Sequence, residues 1–149
     1  MSGWTIRTAA RSDEPTIVKL EALAFGCASW GEKAVADGLN APKVSALLIF
    51  PSGEKAAIGF AFWRSLGEDA EILSIGVTPR ARRRGAAREL LSHIIERARE
   101  TGMRRLFLEV DKANCGALAL YRLENFEKIG ERRRYYKNGG DALVMRLDL

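Results

Sequence analysis

One stretch near the middle of the chain limits the possible folds more than any other. A segment predicted as a strand, Ala70–Val77, leads into an arginine-rich turn at Arg80–Arg84. A helix is predicted to begin at Gly85 and to end at Thr101, because its apolar residues recur at helical spacing and a glycine follows it. Another apolar strand is predicted at Leu106–Val110. A strand, a helix and a second strand in this order predict a parallel pair joined by a crossover.

Antiparallel hairpins are predicted on both sides of this crossover. The other segments predicted as strands are Trp4–Thr8, Val44–Phe50, Ala56–Arg64, Phe126–Tyr136 and Asp141–Leu147, with hairpin turns at Gly67–Asp69 and Lys137–Gly140. The other predicted helices are one after Ser12–Pro15 with Ile17, Leu20, Leu23 and Ala24 on one face, one at Gly31–Leu39, and a short one from Asn114. The sequence therefore predicts a mixed α/β fold, a partly antiparallel sheet flanked by helices, in a single domain spanning residues 1–149.

Composition argues against several classes of protein. The chain has 149 residues, 47% hydrophobic and 29% charged, which is typical of a globular domain. Apolar stretches such as Ala56–Trp63 are far shorter than the roughly 20 residues of a membrane helix, and Met1–Thr8 has no pattern of a secretion signal. We therefore expect a cytoplasmic protein with no membrane partner. Cys27, Cys115 and the single His93 match no standard zinc or disulfide spacing, so no metal is expected.

The positive charge of the chain is concentrated in the arginine-rich turn. Arg80–Arg88 contains five arginines and no acidic residue, and the net charge of the whole chain is +5. A helix that starts with Gly85 and two alanines offers unpaired backbone N–H groups and no bulky side chain that would keep a phosphate away. The pattern favours a pyrophosphate cradle over a solvated face. An RNA patch is less favoured, because no aromatic residue for base stacking lies between Arg80 and Arg105.

With these motifs the sequence resembles the GNAT N-acetyltransferases. The stretch Ile75–Pro79 followed by Arg82, Gly85 and Ala87 is similar to the acetyl-CoA motif of that family. The segments similar to the closing motif of the family are Leu106–Val110, Ala113–Asn114, Ala117–Tyr121, Asn125–Phe126, Arg133–Tyr136 and Asp141–Met145. The combination is most similar to the RimI-type branch, the ribosomal-protein alanine N-acetyltransferases. The match covers Glu71–Leu147 and is looser at Ala24–Lys33.

The resemblance implies acetyl-CoA as cosubstrate and indicates residues that bind it. In the family, the loop amides hold the CoA pyrophosphate, and the strand before the loop pairs with the pantetheine arm through its backbone, here at Ile75 and Val77. The loop residues expected at the donor are Arg82, Arg83, Arg84, Gly85, Ala86, Ala87 and Arg88. By the same resemblance, Asn114 and Tyr121 contact the pantetheine end of the donor.

Two catalytic residues are also implied by the resemblance. Glu109 stands on an otherwise apolar strand, where its carboxylate can accept a proton, and is expected to be the general base. The structural alternative is an ion pair with an arginine at the sheet surface. Tyr121, two helical turns after Asn114, is expected to be the general acid that protonates the departing thiolate. The alternatives are a core aromatic for Tyr121 and a helix N-cap for Asn114.

The acceptor side is indicated by fewer residues. The loop before Trp30 is longer than in the family and Gly31 stands where a capping serine is usual, yet this region is expected to form one wall of the acceptor groove. Tyr135 and Tyr136 are expected to clamp a peptide backbone, although packing alone would equally explain aromatic residues beside a turn. Asn125 replaces a glycine of the family and should preserve the turn, because asparagine tolerates a left-handed backbone.

Taken with the resemblance, these residues predict an acetyl-CoA-dependent N-acetyltransferase acting by direct attack in a ternary complex. The expected acceptor is the N-terminal α-amine of a protein, namely the alanine of a ribosomal protein. One alternative is a small-molecule amine or a lysine as acceptor. Another, from a different class, is a noncatalytic CoA- or RNA-binding module that uses Arg80–Arg88 and Arg132–Arg134.

Overall fold

The structure, a computed structural model, describes residues 3–136 and 138–149. Within these residues it contains the following strands and α-helices in chain order: β1 (Trp4–Thr8), α1 (Glu14–Phe25), α2 (Glu32–Asn40), β2 (Val44–Pro51), β3 (Gly59–Leu66), β4 (Asp69–Val77), α3 (Ala86–Glu100), β5 (Arg105–Asp111), α4 (Cys115–Leu123), β6 (Glu127–Arg132) and β7 (Ala142–Asp148). Short 3-10 turns lie at Arg11–Asp13, Gly26–Ala28 and Pro79–Ala81.

The strand order is β1-β2-β3-β4-β5-β7-β6. β4 and β5 run parallel, as the predicted crossover through α3 requires. The pairs β1–β2, β2–β3, β5–β7 and β6–β7 are antiparallel. The prediction of a mixed α/β fold with a partly antiparallel sheet is therefore confirmed.

The chain divides into two compact units, and β4 and α3 contribute residues to both. The first unit comprises the residues up to 64 and residues 74–94, and the second comprises residues 65–73 and 95–149. The single domain over residues 1–149 stays a prediction.

The first unit has an aromatic and aliphatic core in which two strands approach closely. Phe60 and Phe62 are fully buried, with ring centroids 6.0 Å apart in an edge-to-face arrangement. On β4, a Cβ added to Gly76 would lie 2.6 Å from the Phe60 ring and 3.0 Å from the Cβ of Ala24. A larger residue than glycine does not fit at this position unless its neighbours shift. The other fully buried apolar residues of this core are Ile17, Val35, Leu48, Ile49, Ala61, Leu90, Leu91 and Ile94.

Helix α1 buries a different set of residues from the predicted one. Ile17 and Leu20 are buried as expected, but Leu23 is 50% exposed. Glu21 takes the remaining buried position and is 1% exposed. The physical reason is that the Glu21 carboxylate accepts hydrogen bonds from the loop that follows α1, so a charged residue occupies the inner face.

The second unit has an aliphatic core on one side of its strands. The buried residues of β5 and β7 are Leu106, Leu108, Val110, Ala142, Leu143, Met145 and Leu147, and Phe126 and Leu118 join them. Buried and partly exposed residues alternate along β5, which places Glu109 on the partly exposed face. Asn125 adopts a left-handed backbone with φ 71°, and this confirms that the turn before Phe126 accepts asparagine.

The connection between β6 and β7 is longer than predicted. The strand expected at Phe126–Tyr136 ends at Arg132, because Arg134 adopts φ 50° and its backbone N–H donates to Oδ1 of Asp141 at 2.8 Å. Of the predicted turn at Lys137–Gly140, Lys137 lies outside the described residues. Gly139 has φ 84°, and the Tyr136 N–H donates to the carbonyl of Gly140 at 3.1 Å.

Other boundaries differ by a few residues. The strand predicted from Ala56 begins at Gly59, and α3 begins at Ala86 because Gly85 has the non-helical φ of 89°. Met1 and Ser2, at the start of the segment searched for a secretion signal, lie outside the described residues. Across residues 3–136 and 138–149, no helix combines the length and the apolar character needed to cross a bilayer.

Candidate active site

The loop between β4 and α3 has the backbone geometry of an anion site. After the 3-10 turn at Pro79–Ala81, Arg83 adopts φ 63° and Gly85 adopts φ 89°. Left-handed residues in such a turn direct successive backbone N–H groups to one side, and α3 adds the unpaired N–H groups of its first turn. A Cβ added to Gly85 would meet no protein atom within 4 Å, so the space beside this residue is open. These features fit a diphosphate group.

Arg82 is committed to backbone carbonyl groups. Its Nε donates to the carbonyl of Val77 at 3.2 Å, and its Nη2 donates to the carbonyl of Ala24 at 2.7 Å. The side chain therefore connects the loop to the end of β4 and to α1. Sequence reasoning expected Arg82 at the donor, and the structure shows that its guanidinium holds the loop in shape.

The remaining arginines of the loop are exposed. Arg84 lies with its guanidinium carbon 5.5 Å from the centre of the Trp4 ring, and Arg83 and Arg88 are exposed as well. At the start of α3, Ala86 is 2% exposed and Ala87 is partly exposed. The loop thus presents cationic side chains to solvent around a backbone turn.

Ile75 and Val77 lie at the end of β4, directly before the arginine-rich loop of the first unit. Ile75 is partly exposed and Val77 is 8% exposed. The turn that follows is tied to the chain before β3, because the N–H of Thr78 donates to the carbonyl of Ile58 at 2.9 Å. Binding of pantetheine by the backbone of Ile75 and Val77 stays a prediction.

In the second unit, Glu109 forms an ion pair. Its Oε1 lies 2.9 Å from Nε of Arg132, and the Glu109 side chain is 26% exposed. The arginine pair weighed as the structural alternative is therefore present. Its carboxylate nevertheless remains partly open to solvent, so the role as general base stays a prediction.

Asp111 is a second carboxylate on the same face of β5, two residues after Glu109. Successive residues of a strand point to opposite faces, and the burial of Leu108 and Val110 fixes the other face as the inner one. Sequence reasoning missed Asp111. The available signal was its spacing of two from Glu109 at the end of a predicted strand.

Two tyrosines lie close to these carboxylates. Tyr135 is 52% exposed, with its ring centroid 5.4 Å from the guanidinium carbon of Arg132 and 5.2 Å from the ring of Tyr136. Partial burial raises the pKa of Tyr136 to about 12, and the charges of Asp111 and Glu109 add to this rise. The structure therefore brings the predicted residues Glu109, Tyr135 and Tyr136 together with Arg132 and Asp111.

Tyr121 is buried on α4. It is 8% exposed and packs edge-to-face on Phe126, with ring centroids 5.8 Å apart. Burial raises the pKa of its phenol to about 12, with a smaller contribution from Tyr136. The group therefore keeps its proton throughout the physiological pH range. The ring packs in the core, as the structural alternative expects. The role of the hydroxyl as general acid stays a prediction.

Asn114 is the N-cap of α4. Its Oδ1 accepts a hydrogen bond from the N–H of Ala117 at 3.1 Å. The N-cap weighed as the structural alternative for this residue is therefore present. Contact with pantetheine stays a prediction, and it would use the side-chain NH2 group that the cap does not employ.

Trp30 lies in the loop between α1 and α2. Its side chain is 41% exposed and packs on Phe62 with ring centroids 5.6 Å apart. Its backbone N–H donates to Oε2 of Glu21 at 2.7 Å. Glu21 was missed by sequence reasoning, because helical periodicity treats a glutamate as an outward-facing residue.

The two cysteines of the chain form no disulfide. Cys27 and Cys115 are both free and exposed. Among the described residues, no group of three or more histidine, cysteine, aspartate or glutamate side chains is arranged to hold a metal ion.

Comparison with known proteins identifies the family that this fold and loop suggest. The acetyltransferase (GNAT) family matches residues 15–126, which is more than half of the chain. The chain belongs to the GNAT acetyltransferase family and is an N-acetyltransferase. The resemblance found in the sequence is therefore confirmed.

Individual relatives are found over nearly the whole chain. The chain is 36% identical to the N-alpha-acetyltransferase RimI of Mycobacterium tuberculosis, over 97% of this chain and 92% of the relative. Its fold is similar to the crystal structure of the ribosomal-protein-S18-alanine N-acetyltransferase from Escherichia coli, with a TM-score of 0.89, 30% identity and coverage of 97% and 93% of the two chains. Arabidopsis thaliana NAA60 in complex with acetyl-CoA has the same fold, with a TM-score of 0.84, 17% identity and coverage of 98% of both chains.

Proposed function

We propose that the protein transfers the acetyl group of acetyl-CoA to the N-terminal α-amine of a protein, and that the acceptor is the N-terminal alanine of a ribosomal protein. The names of two relatives support this acceptor, one an N-alpha-acetyltransferase and the other a ribosomal-protein-S18-alanine N-acetyltransferase. A ribosomal acceptor implies that the protein works in the cytoplasm.

The observation that carries the proposal is the pair of carboxylates on one face of β5. Glu109 and Asp111 are both close enough to Tyr136 to raise the pKa of its phenol. Arg132 offsets the charge of Glu109, and the remaining negative charge of the cluster, on Asp111, attracts an α-ammonium group. An α-amine has a reference pKa near 7.7 to 8.0, against about 10.4 for lysine, so a larger fraction of it is neutral near pH 7 and it needs less help from a carboxylate than a lysine does.

The donor is assigned to the loop at Arg82–Arg88. The left-handed turn at Arg83 and Gly85 and the first turn of α3 supply backbone N–H groups for the pyrophosphate. Acetyl-CoA supplies an activated acetyl thioester. The backbone of Ile75 and Val77 and the side-chain NH2 of Asn114 are proposed to hold the pantetheine arm.

The chemical step is a direct transfer in a ternary complex. Glu109 accepts a proton from the α-ammonium, directly or through a water molecule. The neutral amine then forms the new C–N bond as the C–S bond breaks, and the nitrogen releases its second proton to solvent, which also takes the first proton back from Glu109. Tyr121 donates its proton to the departing sulfur and is reprotonated from solvent. No acyl-enzyme intermediate is needed, because the amine attacks the thioester itself.

Three aromatic residues are proposed to contact the acceptor. Tyr135 and Tyr136 are proposed to hold the peptide backbone, with Tyr135 offering an exposed ring edge beside Arg132. Trp30 is proposed to contact the first residues of the acceptor through its exposed indole. These contacts orient the α-amine and contribute to specificity.

The test uses a peptide with a free N-terminal alanine and one internal lysine. The protein is incubated with acetyl-CoA and the peptide, and fragment mass spectrometry locates the added acetyl group; the control is the same peptide with a blocked N-terminus. Acetyl on the α-amine of the free peptide supports the proposal. Acetyl on the lysine of both peptides would show that the acceptor is a lysine side chain and not the α-amine. If neither is acetylated, titration with acetyl-CoA distinguishes a small-molecule acetyltransferase, which binds it, from a noncatalytic RNA module, whose binding to RNA weakens steeply with salt.

A further inference from the structure

Glu21 is a buried carboxylate with a structural task. It is 1% exposed, and each of its oxygens accepts a hydrogen bond from the loop between α1 and α2. The Ser29 hydroxyl donates to Oε1, and the Trp30 N–H donates to Oε2 at 2.7 Å. Burying a charged group is costly unless it is hydrogen-bonded, so the position of the loop and the burial of Glu21 depend on each other.

The loop itself has two points where it can change direction. Gly26 adopts φ 55° and Gly31 adopts φ 87°, and a Cβ at either position would meet no atom within 4 Å. Ser29 lies between these glycines and also accepts a hydrogen bond from the N–H of Gly31 at 3.1 Å. Because glycine gives the chain conformational freedom at both ends, the contacts with Glu21 add to the Ser29 N–H bond to the Gly26 carbonyl at 3.1 Å in holding the intervening residues in one conformation.

The consequence of this arrangement is the position of Trp30. Its indole stacks obliquely on Phe62 at 5.6 Å between ring centroids and leaves 41% of the side chain exposed. An exposed indole fixed at its backbone by a charge-assisted hydrogen bond is a rigid apolar contact surface.

We infer that Glu21 and Ser29 are positioning residues for Trp30. The hydrogen bonds from Ser29 and Trp30 to Glu21, called the Glu21 latch below, determine how tightly the protein binds its acceptor peptide. The inference rests on the proposed function, since it takes Trp30 as a contact for the acceptor. The chemistry that Trp30 recognises is an apolar side chain at the start of the peptide, because an indole offers a large apolar contact area. The latch should therefore act on acceptor binding and leave acetyl-CoA binding unchanged.

The kinetic test compares Ser29→Ala with Ser92→Ala, a matched control on the exposed side of α3. Loss of the Ser29 hydroxyl removes two hydrogen bonds, the one it donates to Glu21 and the one it accepts from the Gly31 N–H, so KM for the N-terminal alanine peptide is expected to rise roughly three- to tenfold. The kcat and the KM for acetyl-CoA should stay within about twofold of wild type, and Ser92→Ala should change none of the three. In a Trp30→Ala background, Ser29→Ala should add no further rise in KM.

A second measurement reads the latch without turnover. Hydrogen exchange of the Trp30 amide, followed by NMR, should be slow in the wild type and in Ser92→Ala and at least tenfold faster in Ser29→Ala and Glu21→Gln. Unchanged exchange together with an unchanged peptide KM in Ser29→Ala would overturn the inference. The inference would also be overturned if kcat fell and the KM values for the peptide and for acetyl-CoA rose by similar factors, because that pattern indicates general loosening of the fold.

Failure of the proposed function gives a different result. If the wild type acetylates a lysine or a small amine instead, the same KM comparison is made with that acceptor. If Ser29→Ala raises only the KM of that acceptor and speeds exchange of the Trp30 amide, the role of the Glu21 latch is supported and only the α-amine is rejected as substrate. No change in either quantity rejects the latch itself.

Discussion

Replacing Tyr121 by phenylalanine tests the burial of the proposed general acid through the response of the protein to alkali. The phenol is 8% exposed, and burial raises its pKa to about 12 from an ordinary value of 10. Because the folded-state pKa lies above the unfolded one, the stabilisation is fully present below pH 10 and is lost as the pH rises towards 12.

The size of the effect follows from the two pKa values. Between pH 9 and pH 11, the unfolded chain loses the Tyr121 proton while the folded chain mostly keeps it, which removes about 1 kcal/mol from the free energy of unfolding. Urea denaturation at both pH values should show this loss in the wild type, and a loss smaller by that amount in Tyr121→Phe. Equal losses in the two proteins would refute the burial of the phenol as the cause.

The same pKa has a consequence for the reaction. A general acid that keeps its proton to about pH 12 cannot cause kcat to fall between pH 7 and pH 9.5. We expect kcat to show no alkaline decline in that range, and Tyr121→Phe to lower kcat by about 100-fold. A decline near pH 8 to 9 in the wild type that disappears in Tyr121→Phe would contradict the assignment.

Three further predictions concern the stability of the folded chain. Gly76→Ala places a Cβ 2.6 Å from the Phe60 ring, so unfolding measurements should show a loss of about 1 to 3 kcal/mol and calorimetry a weaker affinity for acetyl-CoA; unchanged values would mean that the strand shifts freely. Asn125→Ala, at φ 71°, should cost about 1 kcal/mol in thermal or urea unfolding, whereas Asn125→Gly should not, and equal stability of the two would argue against the left-handed turn. The hydrogen bond from Arg7 lowers the pKa of Asp13 to about 2, so acid titration should remove stability as the pH falls from about 4 to 2 in the wild type and less so in Asp13→Asn.

The crossover and the arginine-rich turn before α3 could be predicted from the sequence because their signals are local. Helical spacing of apolar residues, a glycine at each end and a run of arginines are all read from neighbouring positions. The conformation of Asn125 was predictable for the same reason, since few residues tolerate a left-handed backbone.

Several side-chain contacts could not be predicted to the same degree, because they join residues distant in the chain or break a local pattern. The pairing of Arg132 with Glu109 spans two strands, and the carbonyl of Ala24 that binds Arg82 belongs to another element. Glu21 breaks the expected polarity of its helix, because its buried oxygens are satisfied by a loop. Hydrophobic periodicity contains no information about such a partner.

The central claim is that Glu109 deprotonates a peptide α-amine, and the most direct measurement is kcat/KM for the N-terminal alanine peptide in Glu109→Gln. The matched control is Glu96→Gln, an exposed residue of α3. We expect kcat/KM to fall about 100-fold or more at pH 7 in Glu109→Gln, with acetyl-CoA affinity and folding unchanged, and to stay unchanged in the control. Full turnover by a folded Glu109→Gln variant that acetylates the same α-amine would contradict the claim.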